Sequence, residues 1–441
     1  MTLSIALQFV VVLAAIWMGA RYSGVGLGLW GAVGLLVLTA VFGVAPTSPP
    51  VDVMLIILAV IMAASVMDAA GGIDFLVRVA ERVIRANPKY VTIVAPLTTW
   101  CFTFVSGTGH IVYPLLPVIY ETAHQSGIRP ERPMAVATIA SQQAITASPV
   151  AAATAAMIGL FAEKGMTQWG LPQILMICVP ATLTGVVVAA IASMFVGKDL
   201  ADDPEYQARL AAGKIPPPKA MSERPPLGPS AKPAAFIFLA GVALVVIFGF
   251  FPALRQLPEA KAPLAMPVVI EIVMLSVAAI MLAVTKVNVD EVPKTATLKA
   301  GVVAVIGIFG LAWLGDSFIA AHKDVIVPAI GHLAEAAPWT FAFGLFFASV
   351  LLYSQAATTR ALMPLGIALG IPPQFLIAMF PSVNGYFFIP TYGSLIAAIN
   401  FDLSGTTKIG KYVLNHSFMI PGLVSTAVAV FTGLLLAKVM F

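Results

Sequence analysis

Two short polar segments, each set between apolar stretches, decide how this chain folds. The first reads Phe104-Val-Ser-Gly-Thr-Gly-His110, and the second reads Tyr353-Ser-Gln-Ala-Ala-Thr-Thr-Arg360. Each segment predicts the polar tip of a re-entrant helical hairpin, which enters the membrane and leaves it on the same face. The predicted hairpins cover residues 90–125 and 338–372.

The composition places most of the surface of the protein in a lipid bilayer. Of the 441 residues, 60% are hydrophobic and only 10% are charged, whereas soluble domains carry about 25% charged residues. The net charge of +4 is too small to favour nucleic acid as a partner. The two cysteines, Cys101 and Cys178, are too few for a disulfide framework. We therefore expect an all-α integral membrane protein.

Eight stretches are apolar and long enough to span a bilayer, which takes about 20 residues. The first is expected to be a retained helix, because no Lys or Arg precedes Arg21 as it would in a signal peptide. Two more spans are interrupted at a proline, 133–163 at Pro149 and 373–400 at Pro390. The eight uninterrupted spans are 3–20, 24–44, 52–70, 171–197, 234–254, 264–287, 300–320 and 412–440.

A polar segment divides the chain into two halves. Residues 198–232 contain Pro216-Pro-Pro218 and mixed charges, a composition typical of a solvated linker. The first half is residues 1–197 and the second is 233–441.

Landmarks recur at similar spacing in the two halves. Asp68 and Asp316 lie near the ends of corresponding spans (316 − 68 = 248), and the tips open at Ser106 and Ser354 (354 − 106 = 248). The two span-breaking prolines are 241 residues apart (390 − 149 = 241). Paired interrupted segments at matching places in two halves indicate a transporter site. The alternative is a coincidence among helix-breaking residues.

The distribution of Lys and Arg tests whether the hairpins are re-entrant and predicts the orientation of the chain in the membrane. If both hairpins enter and leave on one face, 18 of the 24 basic residues fall on one side and five on the other. This bias satisfies the positive-inside rule, so the linker is predicted to be cytoplasmic and both termini periplasmic. Each half then makes five crossings, and an odd number inverts the second half relative to the first.

The tips and the broken spans are predicted to surround one cavity. Non-helical backbone at membrane depth survives only inside protein or beside water, and broken helices present free N–H groups and a positive dipole end. The side chains in these segments are mostly neutral donors, which suits an anion; the alternative is that each bridges packed helices. The predicted substrate-binding residues are Ser106, Gly107, Thr108, His110, Thr146, Ser148, Ser354, Gln355, Thr358, Thr359, Arg360, Asn384 and Thr391, with Pro149 and Pro390 as hinges.

Four charged or titratable residues each have two interpretations. A charge at membrane depth is by default functional, and the planar fork of Arg360 can hold a carboxylate; the alternative is an ion pair with Asp316. His110 is predicted either to contact substrate or sense protons, or to cap a hairpin helix. Asp68 and Asp316 either hold the scaffold together, which we favour, or carry protons. No His/Cys cluster has metal spacing, so no metal or cofactor is predicted.

Two motifs match patterns of other functions, but the sequence around each motif does not fit that function. Gly26-Leu-Gly-Leu-Trp-Gly31 matches a dinucleotide-binding pattern, but it lies in a predicted spanning helix with no strand before it. Its glycines favour close helix packing instead. Ser106 and His110 would suit an intramembrane hydrolase, but no G-x-S-x-G surrounds the serine. An enzyme is therefore the weaker alternative to a transporter.

Several motifs resemble the anaerobic C4-dicarboxylate transporter family (Dcu), and the resemblance covers essentially the whole chain. In the first half they are Phe104-Val-Ser-Gly-Thr-Gly-His-Ile-Val-Tyr-Pro-Leu-Leu-Pro117, Arg129-Pro-Glu-Arg-Pro133 and Ala140-Ser-Gln-Gln-Ala-Ile-Thr-Ala-Ser-Pro149. In the second half they are Tyr353-Ser-Gln-Ala-Ala-Thr-Thr-Arg360 and Phe388-Ile-Pro-Thr-Tyr-Gly393.

The resemblance implies exchange or uptake of fumarate, succinate, malate or aspartate across the bacterial inner membrane, mostly in anaerobic growth. That family is similar to a wider superfamily, including divalent-anion symporters, of inverted-repeat dimers with an elevator-like transport domain. This similarity implies an elevator mechanism and a homodimer here. The superfamily tips carry Ser-Asn-Thr, whereas this chain has Ser106-Gly-Thr108 and Ser354-Gln-Ala356. The coupling ion, proton or sodium, therefore stays open, and so does another anion such as citrate or a hydroxy acid.

Overall fold

The computed structural model describes residues 3–22, 24–215, 226–260, 262–352, 354–390, 392–410, 412 and 414–441. Within these ranges the regular structure is helical, with a single isolated β-bridge between Ile409 and His416. The helices before the predicted linker and within it are α1 (Leu3–Tyr22), α2 (Gly26–Ala40), α3 (Val51–Ala69), α4 (Gly72–Ala86), α5 (Val91–Ser106), α6 (Leu116–Gln125), α7 (Glu131–Gln143), α8 (Ala152–Glu163), α9 (Leu171–Ser193) and α10 (Pro204–Ala211).

The second part of the chain has a similar series of helices. They are α11 (Ala231–Phe250), α12 (Met266–Thr285), α13 (Ala296–Gly307), α14 (Trp313–Ala336), α15 (Phe341–Leu352), α16 (Gln355–Ala368), α17 (Pro373–Met379), α18 (Gly393–Phe401) and α19 (Met419–Met440). A π-helical segment, Ile308–Ala312, joins α13 to α14.

Six helical stretches in the described part of the chain are apolar and long enough to cross a membrane. They are Val51–Ala69, Leu171–Ser193, Ala231–Phe250, Met266–Thr285, Ala296–His322 and Met419–Met440. Many of their large apolar side chains are exposed on the outside of the bundle, as expected for surfaces that face lipid. The prediction of a helical membrane protein with several apolar helices is confirmed.

Some helix bounds differ from the predicted spans. The predicted span 300–320 is part of a longer kinked helix, and the predicted span 412–440 is helical only from Met419. Helix α4 was not predicted, because its mean hydropathy is too low for a span. It is amphipathic, with Leu76, Val77 and Ile84 buried against its neighbours. The helical spacing of its apolar residues, rather than its mean hydropathy, is therefore the sequence signal for this helix.

The two predicted tips have different local structures. Helix α5 ends where Gly107 adopts a left-handed conformation with a φ of 72°, and its N–H donates to the carbonyl of Thr103. A 3₁₀ segment, Gly109–Leu115, then leads into α6. At the second tip, the Ser354 side chain caps α16 by accepting from the backbone N–H of Ala357 at 3.2 Å.

The two proline-containing spans are both broken. Helix α7 continues as a 3₁₀ turn, Ala144–Thr146, and residues 147–151 are not helical before α8 begins. Helix α17 continues as a 3₁₀ segment, Phe380–Phe387, and α18 begins only at Gly393. The broken backbone is buried in protein: Pro149 and Pro390 are both buried.

Helix packing brings the tips and the broken spans together. Helices α9 and α19 pack most extensively on each other, α5 packs on α7, and α15 packs on the 3₁₀ segment that follows α17. Helix α3 packs on α12, and α2 packs on the π-helical segment. There Gly28 and Gly310 touch through their backbones, and a Cβ atom on either would overlap the other helix. The predicted close packing of the α2 glycines is therefore an internal contact of this chain.

The predicted linker contains a docked helix. The Asp203 side chain caps α10 by accepting from two backbone N–H groups and also accepts from Arg129. The Tyr206 hydroxyl lies 2.9 Å from Nε2 of His124 at the end of α6. Burial raises the pKa of the Asp203 carboxyl, but the hydrogen bonds from Arg129 and the backbone outweigh it and leave the pKa below its ordinary value.

We expect Asp203→Asn to loosen α10 at neutral pH. Because the pKa of Asp203 is lowered on folding, its stabilisation is present above the unfolded pKa and is lost only as the pH falls through the folded value. Losing a charge-assisted hydrogen bond of about 1.5–3 kcal/mol should speed amide hydrogen exchange in α10 about tenfold or more. Asp202→Asn is the control, since Asp202 is exposed and lies beside the cap. Equal exchange in both variants would contradict the role of Asp203.

Candidate functional site

A cavity of about 750 Å³ lies where the two tips meet the broken spans. Its volume is in the range of small-molecule sites, about 300–1,000 Å³. The first tip contributes Ser106–His110, and the second contributes Ser354–Ala357. Val150, Ala152 and Ala153 line it from the first broken span, and Tyr392 and Gly393 line it from the second. We call this space the tip cavity.

Three helices begin at the tip cavity. Helix α8 starts at Ala152, α16 at Gln355 and α18 at Gly393, and each of these residues lines the cavity. The first turn of a helix has unpaired N–H groups and carries a partial positive charge. None of the described residues that line the cavity is a carboxylate, while Lys299 and His110 both line it. The electrostatic environment therefore favours an anion.

The first tip presents small polar groups to the tip cavity. Ser106 is buried, and its hydroxyl lies 3.4 Å from the carbonyl of Thr108. Thr108 Oγ1 accepts from the backbone N–H of His110 at 3.3 Å. The His110 ring is exposed and stacks on Tyr113 with 5.8 Å between ring centroids. The side chain that caps this turn is therefore Thr108. A cap was one of the two roles predicted for His110.

The second tip is tied to both broken spans by side-chain amides. Gln355 donates to Gln142 at 3.0 Å and to Asn384 at 3.2 Å. Asn384 donates to Gln143 at 3.2 Å, and Gln143 donates to Thr426 of α19 at 2.8 Å. Buried polar networks of this kind fix one arrangement when each group is satisfied. The network sets the position of the second tip.

Several predicted site residues are buried beside the tip cavity rather than in its lining. Thr358 and Thr359 donate to backbone carbonyls one turn earlier in α16, at 2.8 and 2.7 Å. Thr146 donates to the carbonyl of Gln143 at 2.9 Å, and Ser148 donates to that of Phe104 at 2.7 Å. Their hydroxyls hold the local backbone in this structure. Thr391 lies outside the described residues.

Arg360 lines a second cavity of about 720 Å³, away from the tip cavity. Its Nη1 lies 2.9 Å from Glu163 and its Nη2 lies 3.2 Å from Asp316, and the side chain is 1% exposed. The ion pair with Asp316, which was the alternative interpretation of Arg360, is thus present in this structure. Asp68 accepts from the hydroxyl of Thr297 at 2.8 Å. We call the second space the arginine cavity.

Sequence reasoning missed several residues that line the two cavities. Thr297, Lys299 and Tyr113 line the tip cavity, and Glu163 lies in the arginine cavity. Glu163 could have been predicted from the sequence, because a carboxylate at the end of an apolar helix needs a partner. Thr297 and Lys299 belong to α13. This helix approaches the tips only in the folded protein, so the local sequence does not predict the contact.

A helical membrane protein whose central cavity is surrounded by broken helices has the construction of a membrane transporter. The family model described as anaerobic C4-dicarboxylate membrane transporter matches residues 4–441. The chain belongs to this family. The prediction of a transporter rather than an enzyme is confirmed by this membership, as is the family resemblance.

Several relatives agree with this family assignment, and a solved structure has a similar fold. The chain is 41% identical to the C4-dicarboxylate transporter DcuA of Escherichia coli strain K12, over 99% of this chain and 100% of that protein. It is 40% identical to DcuA of Wolinella succinogenes, over 98% and 99%. It is 38% identical to the anaerobic C4-dicarboxylate transporter DcuB of Escherichia coli O6:H1, over 98% of each. In fold it is similar to the YdaH transporter of Alcanivorax borkumensis (TM-score 0.54, 15% identity, 95% and 98% coverage).

Proposed function

We propose that this protein carries C4-dicarboxylates such as fumarate, succinate, malate and aspartate across the bacterial inner membrane, by exchange or ion-coupled uptake. The observation that carries the proposal is the convergence of three helix N-termini on the tip cavity, without a carboxylate among its described lining residues. The family and the relatives bear names of C4-dicarboxylate transporters, which narrows the anion to this class. The coupling ion stays open between proton and sodium.

The substrate is proposed to lie between the two tips. Ser106, Thr108, His110 and Gln355 line the cavity with donors, and the first turns of α8, α16 and α18 add backbone N–H groups. Hydrogen bonds to a charged acceptor are roughly twice as strong as neutral ones. Thr146, Ser148, Thr358, Thr359 and Asn384 support the segments that carry these donors.

Two inverted repeats are proposed as the basis of this arrangement. Helices α9 and α19 begin 248 residues apart (419 − 171 = 248), and α8 and α18 begin 241 residues apart (393 − 152 = 241). These are the spacings of the polar landmarks in the sequence. Gln143 and Asn384, also 241 residues apart, form a hydrogen bond with each other. Contact between equivalent positions is expected where two repeats meet at a pseudo-two-fold axis.

Alternating access is proposed to follow from a division into two parts. The transport part would contain both hairpins, α5–α6 and α15–α16, and both broken spans. The scaffold would contain α1–α3 and α11–α14, and the homodimer contact. Lys299 and Thr297 line the tip cavity on the basic-rich side of the chain, which supports a cavity open to the cytoplasm. Both termini would then be periplasmic and residues 198–232 cytoplasmic.

Counterflow in proteoliposomes tests the proposed substrate. We expect liposomes loaded with unlabelled succinate to accumulate labelled succinate or fumarate, because an exchanger returns with substrate bound. Excess malate or aspartate should compete, whereas citrate and lactate should not. Exchange of citrate or a hydroxy acid without exchange of either dicarboxylate would contradict the proposal.

A further inference from the structure

The arginine cavity holds an unusual arrangement of charges that the tip cavity does not explain. Its charged lining residues are Asp52, Glu163, Lys164, Asp316 and Arg360. Arg360 is among the largest fully buried side chains of the protein. A buried guanidinium is retained only with good partners, and here two separate carboxylates meet two of its nitrogens.

One nitrogen of Arg360 is unpaired in the described part of the chain. Its Nε is buried and has no hydrogen-bond partner there. Arginine presents five N–H donors in a planar fork that matches a carboxylate. The fork is therefore only partly used, although the arginine cavity beside it has room for a small molecule.

The two partners of Arg360 come from different parts of the molecule. Glu163 ends α8, which packs directly on α16, the helix of Arg360. Asp316 belongs to α14, which packs on α16 and also on α2 and α1. In the proposed division α8 and α16 belong to the transport part and α14 belongs to the scaffold, so movement between the two parts would keep Glu163 beside Arg360 and leave Asp316 behind. Asp316 is thus the exchangeable partner.

We propose that Arg360 is a carboxylate-binding site of the arginine cavity, closed in this structure by Asp316, and that one carboxylate of an entering dicarboxylate takes the place of Asp316. This rests on the proposed function. In this state Asp316 occupies Nη2 of Arg360. Once Asp316 is withdrawn, that nitrogen and the unpaired Nε can both donate to a carboxylate of the substrate.

The first repeat lacks an equivalent of this site. Val112 stands 248 residues before Arg360 (360 − 112 = 248). Asp68, the counterpart of Asp316, forms no ion pair among the residues that the structure describes and accepts from Thr297 instead. The Arg360 site therefore has no counterpart in the first repeat. In the proposed topology Lys164 of this cavity is periplasmic and Lys299 is cytoplasmic, so the arginine cavity and the tip cavity would open to opposite faces.

Sided exchange with Asp316→Asn tests this site. Succinate exchange is measured in membrane vesicles of both orientations, so that each cavity faces the added substrate in turn. We expect the KM at the face of the arginine cavity to fall at least about fivefold and the KM at the other face to change less than about twofold. Asp52→Asn is the matched control, since it removes one carboxylate from the same cavity without touching the ion pairs of Arg360. It should leave both KM values within about twofold.

Two further variants make the outcome specific. Asp316→Ser should lower the same KM, which excludes an effect peculiar to asparagine. Adding Arg360→Lys to Asp316→Asn should abolish the gain, because an ammonium group lacks the fork. Equal KM values for Asp52→Asn and Asp316→Asn, or a fall at both faces, would overturn the Arg360 site while leaving dicarboxylate transport intact. Absence of succinate exchange in the wild type would overturn both.

Discussion

Replacing Gly107 by valine should nearly abolish dicarboxylate exchange. Gly107 has a φ of 72°, and a Cβ atom there would lie 2.6 Å from the carbonyl oxygen of Val150 in the first broken span. The left-handed conformation costs a non-glycine residue about 1–2 kcal/mol, and overpacking adds about 1–3 kcal/mol. Both penalties fall on the contact that positions the first tip, so we expect the exchange rate to drop by at least about tenfold.

A substitution at a second glycine, Gly127, distinguishes the effect of backbone strain from that of steric overlap. Gly127 has a φ of 70°, but a Cβ atom there meets nothing within 4 Å. Gly127→Val therefore carries the strain without the overlap and should keep most of the exchange activity. The measurement is counterflow of labelled succinate, normalised to the amount of protein in the membrane. Similar losses in both variants would show that contact between the first tip and Val150 is unimportant.

Replacing Gln355 by leucine should have the second largest effect. Leucine is similar in size but donates nothing, so the acceptors of Gln142 and Asn384 lose their partner. An unsatisfied buried polar group costs about 1–3 kcal/mol. The second tip then loses its attachment to both broken spans, and we expect KM for succinate to rise about tenfold or more.

Thr359→Val is the matched control for Gln355→Leu. Thr359 lies one turn along the same helix, is also buried, and donates only to the carbonyl of Gln355. Its loss should change KM by less than about threefold, since a single neutral hydrogen bond contributes about 0.5–1.5 kcal/mol. A larger effect from Thr359→Val than from Gln355→Leu would indicate that the α16 hydroxyls contact substrate directly, as the sequence predicted.

Hydropathy and polar landmarks in the sequence were enough to predict most of the fold. Long apolar runs identify membrane helices because the bilayer demands them, and the interrupted runs identified both tips and both breaks. Amphipathic α4 and docked α10 were missed, since neither is apolar enough to stand out. Their positions depend on tertiary partners such as Arg129 and His124.

The candidate site was predicted less completely than the fold. The tips themselves, from Ser106 to His110 and at Ser354 and Gln355, line the cavity. The neighbouring hydroxyls of Thr358 and Thr359 point into their own helix, because a threonine in a helix can donate to the carbonyl one turn earlier. The spacing of residues in the sequence predicts which segment lies at the site, but it does not predict the direction in which each side chain points. The position of Arg360 likewise depended on Glu163, almost 200 residues away in the chain.

An experimental density map with succinate bound tests the central claim most directly. We predict density for the dianion in the tip cavity, with one carboxylate near Ser106 and Thr108 and the other at the first turn of α16. Density for succinate at a place remote from both tips, with the tip cavity empty at saturating substrate, would contradict the account.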